Sequence, residues 1–279
     1  MPGVIYFRLH KNTDMESYSI CIGDADIYYE TAGRGRPLLL LHSGIADHRM
    51  WTRQYHSFSE HFRVIAPDFR GYGKSSHPDC PFRHYDDMLL FIDSLGFESV
   101  DVIGNSLGGM VAMEMALALP GRFRKIVVVA PGMRGWQYRD AATLEKDAEL
   151  EGLLAAKKWG EAADLLVDIW VVGLKRNRKM VSAGARHVVR QMIMENQPAV
   201  FDRYPEAAPE LNMRDRLKEI NIPTLVITGD SDIPDMLEIS RFVASSIPGA
   251  TSYTIANAAH LPNLEHPGVF EKAVLDFLL

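Results

Sequence analysis

The chain contains little that would place it in a membrane or in an oxidising compartment. Its two cysteines, Cys21 and Cys80, are too few for a disulfide framework and do not form a Cys-x-x-Cys pair. No apolar run approaches the roughly 18 residues that a membrane span needs. The charged first sixteen residues lack the apolar core of a signal peptide. We therefore expect a cytoplasmic protein without a membrane partner.

An excess of positive charge is also absent. The 30 Lys and Arg residues are outnumbered by 36 Asp and Glu, which gives a formal net charge of -6 and a pI near 5.9. Because no basic block overrides this balance, we expect no nucleic-acid partner. A chain of 279 residues can bury roughly three quarters of its unfolded surface. We expect one domain with an inserted cap, as a monomer or a homodimer.

The stretch from Val100 to Gly109 predicts a buried strand, a very tight turn and a helix. Gly104 and Gly108 flank Ser106 at two residues on either side, where a side chain would collide with the reversing backbone. Such a turn exposes the serine hydroxyl beside unpaired N–H groups, which favour negative charge on a substrate oxygen. Gly-x-Ser-x-Gly arises by chance in about one chain in ten of this composition. The pattern alone is therefore also compatible with a glycine-rich loop whose serine is inert.

Apolar runs between turn residues predict eight strands, separated by helices. The predicted strands are 17–21, 26–31, 38–41, 63–66, a run from 100, 125–130, 224–228 and 250–255. This alternation predicts an α/β fold with a mostly parallel eight-stranded sheet and helices on both faces. The interval 133–216 shows no strand pattern but three helical runs, at 141–157, 161–174 and 178–195. We assign 1–132 and 217–279 to a core domain, and 133–216 to an inserted helical cap.

Two later strands are each followed by a residue that could activate a serine. Asp232 follows the strand at 224–228, and His260 follows the strand at 250–255. A serine nucleophile needs a base, usually His, held in the right tautomer by a carboxylate. Because ligands bind at the carboxyl ends of parallel strands, both residues should lie near Ser106. Asp230 and Asp235 compete with Asp232 for the role of the carboxylate.

The sequence resembles the serine hydrolases of the α/β-hydrolase superfamily from about residue 17 to its end. The resemblance rests on Gly-Asn-Ser-Leu-Gly, on Gly-Asp-Ser-Asp after a later strand, and on Ala-Ala-His-Leu-Pro-Asn-Leu-Glu-His-Pro. It implies Ser106 as nucleophile, His260 as general base and then acid, and Asp232 as the orienting carboxylate. It also implies an oxyanion hole formed by the N–H groups of Gly44 and Leu107, although His-Ser-Gly replaces the usual His-Gly-x. It implies no cofactor.

The stretch Leu-Leu-His-Ser-Gly-Ile-Ala-Asp-His-Arg-Met-Trp is similar to the enol-lactonase and small-esterase branch. The resemblance therefore implies hydrolysis of a small-molecule carboxylic ester or lactone through an acyl-enzyme on Ser106. A serine nucleophile argues against epoxide hydrolases and haloalkane dehalogenases, whose nucleophile is a carboxylate. Thioester, carbon–carbon, and peptide or amide hydrolysis stay open, as does perhydrolysis. A low-turnover small-molecule receptor of the same fold is a further alternative.

Other polar and aromatic residues have simpler interpretations. We expect His42 to brace a loop, and Asp68 and Arg70 to brace another near the pocket edge. The remaining histidines are scattered and show no ligand cluster, so we expect no metal site. Four apolar cap residues could line an acyl pocket, but helical spacing favours a place in the cap core. They are Trp136, Trp170, Met192 and Met194.

Overall fold

The computed structural model describes residues 5–7, 15–78, 80–202 and 212–279, in which nine strands form one sheet. The strands are β1 (Ile5–Phe7), β2 (Glu16–Ile22), β3 (Ala25–Ala32), β4 (Pro37–Leu41), β5 (Arg63–Pro67), β6 (Val100–Asn105), β7 (Phe123–Val129), β8 (Thr224–Gly229) and β9 (Thr251–Ile255). Their order across the sheet is β1-β2-β3-β5-β4-β6-β7-β8-β9. All eight predicted strands are present, and β1 is a ninth strand that the sequence pattern does not predict.

The sheet is antiparallel at one edge and parallel elsewhere. The pairs β1–β2, β2–β3 and β3–β5 are antiparallel, whereas the five pairs from β5 across to β9 are parallel. Alternate residues of β4 enter two different apolar clusters: Leu39 and Leu41 one, Leu38 and Leu40 the other. Both faces of β4 are therefore buried, as its continuous apolar run indicates. The predicted mostly parallel sheet is confirmed.

The described part of the chain has ten α-helices, and they cover both faces of the sheet. They are α1 (Thr52–Ser59), α2 (His84–Ser94), α3 (Leu107–Ala118), α4 (Ala141–Ala155), α5 (Trp159–Val167), α6 (Ala183–Glu195), α7 (Met213–Arg216), α8 (Pro234–Ser246), α9 (Pro262–Glu265) and α10 (Pro267–Leu278). Met88 of α2 and Val111 of α3 join the cluster of Leu39, whereas Phe58 of α1 and Phe270 of α10 join the opposite cluster. None of these helices combines the length and apolar character required to cross a membrane.

Two predicted helices of the cap are interrupted in the structure. Earlier in the chain, a 3₁₀ turn, His48–Trp51, comes directly before α1. The helix expected at 161–174 is α5 followed by a π-helical turn, Asp168–Val172, which ends where Gly173 adopts a left-handed φ of 81°. The helix expected at 178–195 is a 3₁₀ turn, Arg178–Met180, separated from α6 by extended Val181. Hydrophobic periodicity does not distinguish these turns from α-helix.

We call residues 133–216, which lie between β7 and β8, the cap. Its described residues, 133–202 and 212–216, contain α4 to α7 and no strand. Asn196, at the end of α6, anchors it to the core because its Nδ2 donates to Asp47 Oδ2 (2.9 Å) and its Oδ1 accepts from Gly73 N–H (2.6 Å). Arg49 and Glu195 add an ion pair of 2.6 Å beside this anchor.

Candidate active site

Ser106 joins β6 to α3 in a strained backbone conformation. Its φ of 54° and ψ of -111° lie in a region that costs a non-glycine residue about 1–3 kcal/mol. Its N–H donates to Val129 O, and its carbonyl oxygen accepts from the N–H groups of Met110 and Gly132, each at 2.9 Å. These bonds to β7, to α3 and to the loop after β7 hold the strained conformation. The side chain of Ser106 is half-buried.

The glycines that flank Ser106 lie where no side chain fits. A Cβ at Gly104 would lie 2.2 Å from Gly108 O, and a Cβ at Gly108 would lie 2.3 Å from Leu41 O. Both obstacles are backbone atoms, which cannot rotate away as a flexible side chain can. The predicted collision at Gly104 and Gly108 is therefore confirmed. The start of α3 packs backbone to backbone against β6 and the end of β4.

Asp232 and His260 are hydrogen-bonded at the carboxyl ends of β8 and β9. His260 Nδ1 lies 2.8 Å from Asp232 Oδ2, and both side chains are about 2% exposed or less. Because a carboxylate can only accept, Nδ1 carries the proton and Nε2 of the neutral imidazole keeps its basic lone pair. Asn105 Nδ2 donates to His260 O at 3.0 Å, which ties the histidine loop to the residue before Ser106. We call Ser106, Asp232 and His260 the candidate triad.

The competing carboxylates have other partners. Asp230 Oδ1 accepts from Asn257 N–H at 2.8 Å, which braces the turn before the histidine loop. Asp235 accepts from the N–H groups of Arg139 (3.1 Å) and Asp140 (2.9 Å) at the start of α4. Of the three carboxylates that the sequence left open, Asp232 is therefore the one that the structure pairs with the imidazole.

Gly44 and Leu107, the expected oxyanion donors, are neighbours. A Cβ at Gly44 would lie 3.7 Å from Leu107 Cβ and 3.7 Å from Tyr72 Oη. Gly108 N–H donates to His42 O at 3.1 Å, which fixes the loop after β4 against the start of α3. Leu107 is the first residue of α3, so its N–H has no acceptor within the helix. The helix dipole also favours negative charge at this end.

The three residues expected to brace loops do so. His42 is fully buried; its Nδ1–H donates to Ser43 O (2.8 Å) and its Nε2 accepts from Phe69 N–H (2.9 Å). Burial lowers the pKa of His42, so the ring stays neutral. Arg70 forms two hydrogen bonds of 2.9 Å with Asp87. Asp68 Oδ2 accepts from the N–H of Lys74 at 2.9 Å.

Asp47, His48 and Asp68 form a buried cluster, whereas the sequence predicts scattered histidines without a ligand cluster. One ligand-type atom of each lies within 4.8 Å of the others. Burial opposes charge on His48, but hydrogen bonds to Asp68 (2.7 Å) and Glu30 outweigh it and raise its pKa to about 9. Burial opposes the negative charge of Asp47, but hydrogen bonds from Arg49 and Asn196, together with the charges of Arg49 and His48, outweigh it and lower the pKa of Asp47 to about 2. A metal ion would have to displace these bonds, so we interpret the cluster as a loop brace.

Trp170, expected to belong to the cap core, also contacts His260. Its ring centroid lies 4.5 Å from that of His260, and its carbonyl oxygen accepts from His260 N–H at 3.2 Å. Trp136 instead packs against Phe242, with ring centroids 5.9 Å apart. No sequence signal connects Trp170 with His260, because their contact depends on how the π-helical turn lies over the histidine loop.

A cavity of about 520 Å³ lies in the cap, between α4, α5 and the residues after Gly173. The described residues that line it include none of the candidate triad. Several of its charged side chains are paired with each other, as in Arg178–Asp168 at 2.6 Å and Lys146–Glu149 at 2.7 Å. We therefore do not propose this cavity as the place where the bond to be cleaved is bound.

Known proteins match the chain over most of its length. The family model described as alpha/beta hydrolase fold matches residues 36–267. The chain belongs to the α/β-hydrolase family. It is 26% identical over 261 residues to 3-oxoadipate enol-lactonase 2 of Acinetobacter baylyi, covering 90% of this chain and 92% of the relative. It is also 25% identical over 278 residues to 2-hydroxy-6-oxo-6-phenylhexa-2,4-dienoate hydrolase of Burkholderia cepacia, covering 90% of this chain and 91% of that relative.

A solved structure extends this likeness to three dimensions. Est816, described as an N-acyl homoserine lactone degrading enzyme, superposes with a TM-score of 0.77 and 26% identity. The match covers 93% of this chain and 100% of that one. Together with the family match, these likenesses identify the chain as a hydrolase.

Proposed function

We propose that this hydrolase cleaves a small carboxylic ester or lactone through an acyl-enzyme on Ser106. The observation that carries the proposal is the 2.8 Å bond between His260 Nδ1 and Asp232 Oδ2. That bond leaves His260 Nε2 as the basic nitrogen, and Asn105 links the histidine loop to the strained turn that holds Ser106. The likeness to an enol-lactonase and to an N-acyl homoserine lactone degrading enzyme supports this substrate class.

In the proposed reaction, Ser106 Oγ attacks the carbonyl carbon while His260 Nε2 takes the hydroxyl proton. Asp232 stabilises the imidazolium that forms. The N–H groups of Leu107 and Gly44 bind the tetrahedral oxyanion, and the loss of one such donor typically costs about 3 kcal/mol. His260 then gives its proton to the departing alcohol oxygen. Water, activated by the neutral His260, hydrolyses the acyl-enzyme and releases the acid.

A second candidate is hydrolysis of a carbon–carbon bond in a dienoate. The likeness to the dienoate hydrolase favours it, and the same candidate triad serves both reactions. We assign substrate selection to the cap, residues 133–216, over a core of 1–132 and 217–279. A cytoplasmic location and a monomer or homodimer stay predictions from the sequence.

The test is turnover of a panel of p-nitrophenyl esters, lactones and dienoates by the wild type and Ser106→Ala, with fluorophosphonate labelling of both. We expect Ser106→Ala to lose labelling and about 10⁴-fold or more of kcat, because an alanine cannot form the acyl-enzyme. Ser245→Ala is the matched control, since its hydroxyl is exposed on α8 and donates to Phe242 O. A wild type that hydrolyses none of the panel and is not labelled would exclude the proposal.

A further inference from the structure

A short part of the cap lies against the histidine loop and contacts it at three points. We call residues 168–176 the brace; it comprises the π-helical turn Asp168–Val172 and the four residues after it. The first contact is made by Trp170. Its ring lies against the His260 imidazole, with centroids 4.5 Å apart and planes inclined at 47°. Its carbonyl oxygen accepts from His260 N–H at 3.2 Å, so one residue holds both the ring and the backbone of His260.

The second contact is a close backbone approach at Gly173. This residue has a φ of 81°, and a Cβ on it would lie 2.5 Å from Ser231 O and 3.3 Å from Ala259 Cβ. Ser231 precedes Asp232 and Ala259 precedes His260. At Gly173 the brace therefore contacts both the loop that carries Asp232 and the loop that carries His260. Only glycine allows the backbone to come this close to Ser231 O.

The third contact is a buried ion pair. Arg176 Nη2 lies 2.8 Å from Glu265 Oε2, and each side chain is 4% exposed. Arg176 also donates to the carbonyl oxygens of Val172 (2.6 Å) and Asn257. Glu265 Oε1 accepts from Ala259 N–H at 2.6 Å. The end of the π-helical turn is thus tied to the residues on the amino-terminal side of His260.

We propose that Trp170 is a positioning residue that holds the His260 imidazole in the orientation the reaction needs. This inference rests on the proposed function. The Nδ1 bond to Asp232 fixes one edge of the imidazole but leaves the ring free to tilt about that bond. Trp170 removes this freedom because its ring lies against the imidazole. The same contact stabilises the imidazolium that forms when Ser106 loses its proton, since an aromatic ring attracts a nearby cation.

A Trp170 that only filled the cap core would behave differently from a positioning residue. Replacing such a tryptophan would lower the free energy of unfolding, and kcat would fall only in proportion to the fraction of protein that is unfolded. A positioning residue instead lowers kcat at unchanged KM, because substrate binding does not require the imidazole to be aligned. A flat ring at the same place should also restore the alignment, whereas an apolar side chain without a ring should not.

The test compares Trp170→Ala, Trp170→Leu and Trp170→Phe with Trp159→Ala in steady-state hydrolysis of the best ester of the panel. Trp159 is the matched control: it is a half-buried cap tryptophan whose ring stacks on Phe201, with centroids 5.6 Å apart. For Trp170→Ala and Trp170→Leu we expect kcat to fall about 100-fold, the cost of misplacing a reacting group by about 1 Å. KM should stay within about threefold, Trp170→Phe should recover most of kcat, and Trp159→Ala should resemble the wild type.

A second measurement does not require turnover. In proton NMR the Nδ1–H of His260 is identified by its loss in His260→Gln, and its exchange with water is measured at one pH and temperature. We expect Trp170→Leu to accelerate this exchange at least about tenfold and Trp159→Ala to leave it unchanged, because opening the bond to Asp232 exposes the proton. If Trp170→Ala fails to fold, Trp170→Leu carries both measurements.

Equal exchange in Trp170→Leu and the wild type would overturn the positioning role. So would a kcat for Trp170→Leu within about threefold of that for Trp159→Ala, or a Trp170→Phe as slow as Trp170→Leu. A wild type that hydrolyses none of the panel and is not labelled would refute the proposed function, whereas the exchange measurement would still decide whether Trp170 holds the imidazole.

Discussion

The close packing of β6 against α3 at Gly104 allows a quantitative prediction. In Gly104→Ala the new Cβ would lie 2.2 Å from Gly108 O and 2.7 Å from Gly109 N, closer than the 3.0 Å that real Cβ contacts respect. Because the obstacles are backbone, the start of α3 must move by about 1 Å. Overpacking typically costs 1–3 kcal/mol. We expect about 3 kcal/mol here, since no rotamer change relieves the contact, and hence a fall in Tm of about 5 °C.

The same displacement should impair catalysis. Ser106 and Leu107 lie at the start of α3, so both the proposed nucleophile and a proposed oxyanion donor move with it. A misplacement of about 1 Å costs about 100-fold in rate. Gly132→Ala is the matched control, because its Cβ would lie 3.5 Å from Ser106 O, an ordinary contact. Gly109→Ala is intermediate, with its Cβ 3.0 Å from Gly104 O.

Thermal unfolding followed by circular dichroism, and fluorophosphonate labelling rates, measure the two effects separately. The expected order of damage is Gly104→Ala, then Gly109→Ala, then Gly132→Ala, which should stay within about 0.5 kcal/mol of the wild type. A Gly104→Ala protein as stable and as reactive as Gly132→Ala would refute the reasoning. That result would mean that the turn accommodates a side chain by local adjustment rather than by moving α3.

Two further predictions concern the buried polar groups that hold the cap and the loops in place. The pKa of His48 rises from 6.5 to about 9 in the folded protein. The protonated imidazole therefore stabilises the fold by on the order of 3 kcal/mol. This stabilisation is complete below pH 6.5 and is lost as pH rises through 9. The Tm difference between wild type and His48→Gln should therefore shrink from pH 6 to pH 10, and a constant difference would contradict the ion pair with Asp68. Asn196→Asp replaces the amide that donates to Asp47 (2.9 Å) by a second negative charge, so we expect the free energy of unfolding to fall by about 2–4 kcal/mol. Asn196→Ala loses the hydrogen bond without adding a charge, so an equal Tm for the two variants would show that charge repulsion is absent.

Much of the fold could be predicted because its signals are local. The apolar run Leu38–Leu41 indicates a strand covered on both faces, and the structure buries it between two clusters. The glycines around Ser106 indicate a turn in which backbone meets backbone, and a Cβ at Gly104 or Gly108 would collide with backbone atoms as expected. Asp232 and His260 follow strands whose carboxyl ends share one edge, so topology alone brings them close. Local pattern and sheet topology together are enough for these features.

The features that escaped prediction depend on how separate elements are oriented. Hydrophobic periodicity predicts that a helix covers residues 161–174, but not that it ends in a π-helical turn with Trp170 on the imidazole. The cluster of Asp47, His48 and Asp68 joins a 3₁₀ turn to the loop after β5, and neither its burial nor its ion pairs follow from spacing. The three residues of β1 carry too short a pattern to be recognised as a strand.

Two of the contacts between the cap and the core should affect the reaction differently. The brace reaches the His260 loop, whereas Asn196 reaches Asp47 and the N–H of Gly73, neither of which belongs to the candidate triad. Loosening the brace disturbs the alignment of the base, which appears in kcat. We expect loosening of the anchor at Asn196 instead to change how the cap lies over the core, and so how the substrate is held, which would appear in KM. In the proposed reaction the cap therefore covers the substrate and, through Trp170, supports the base.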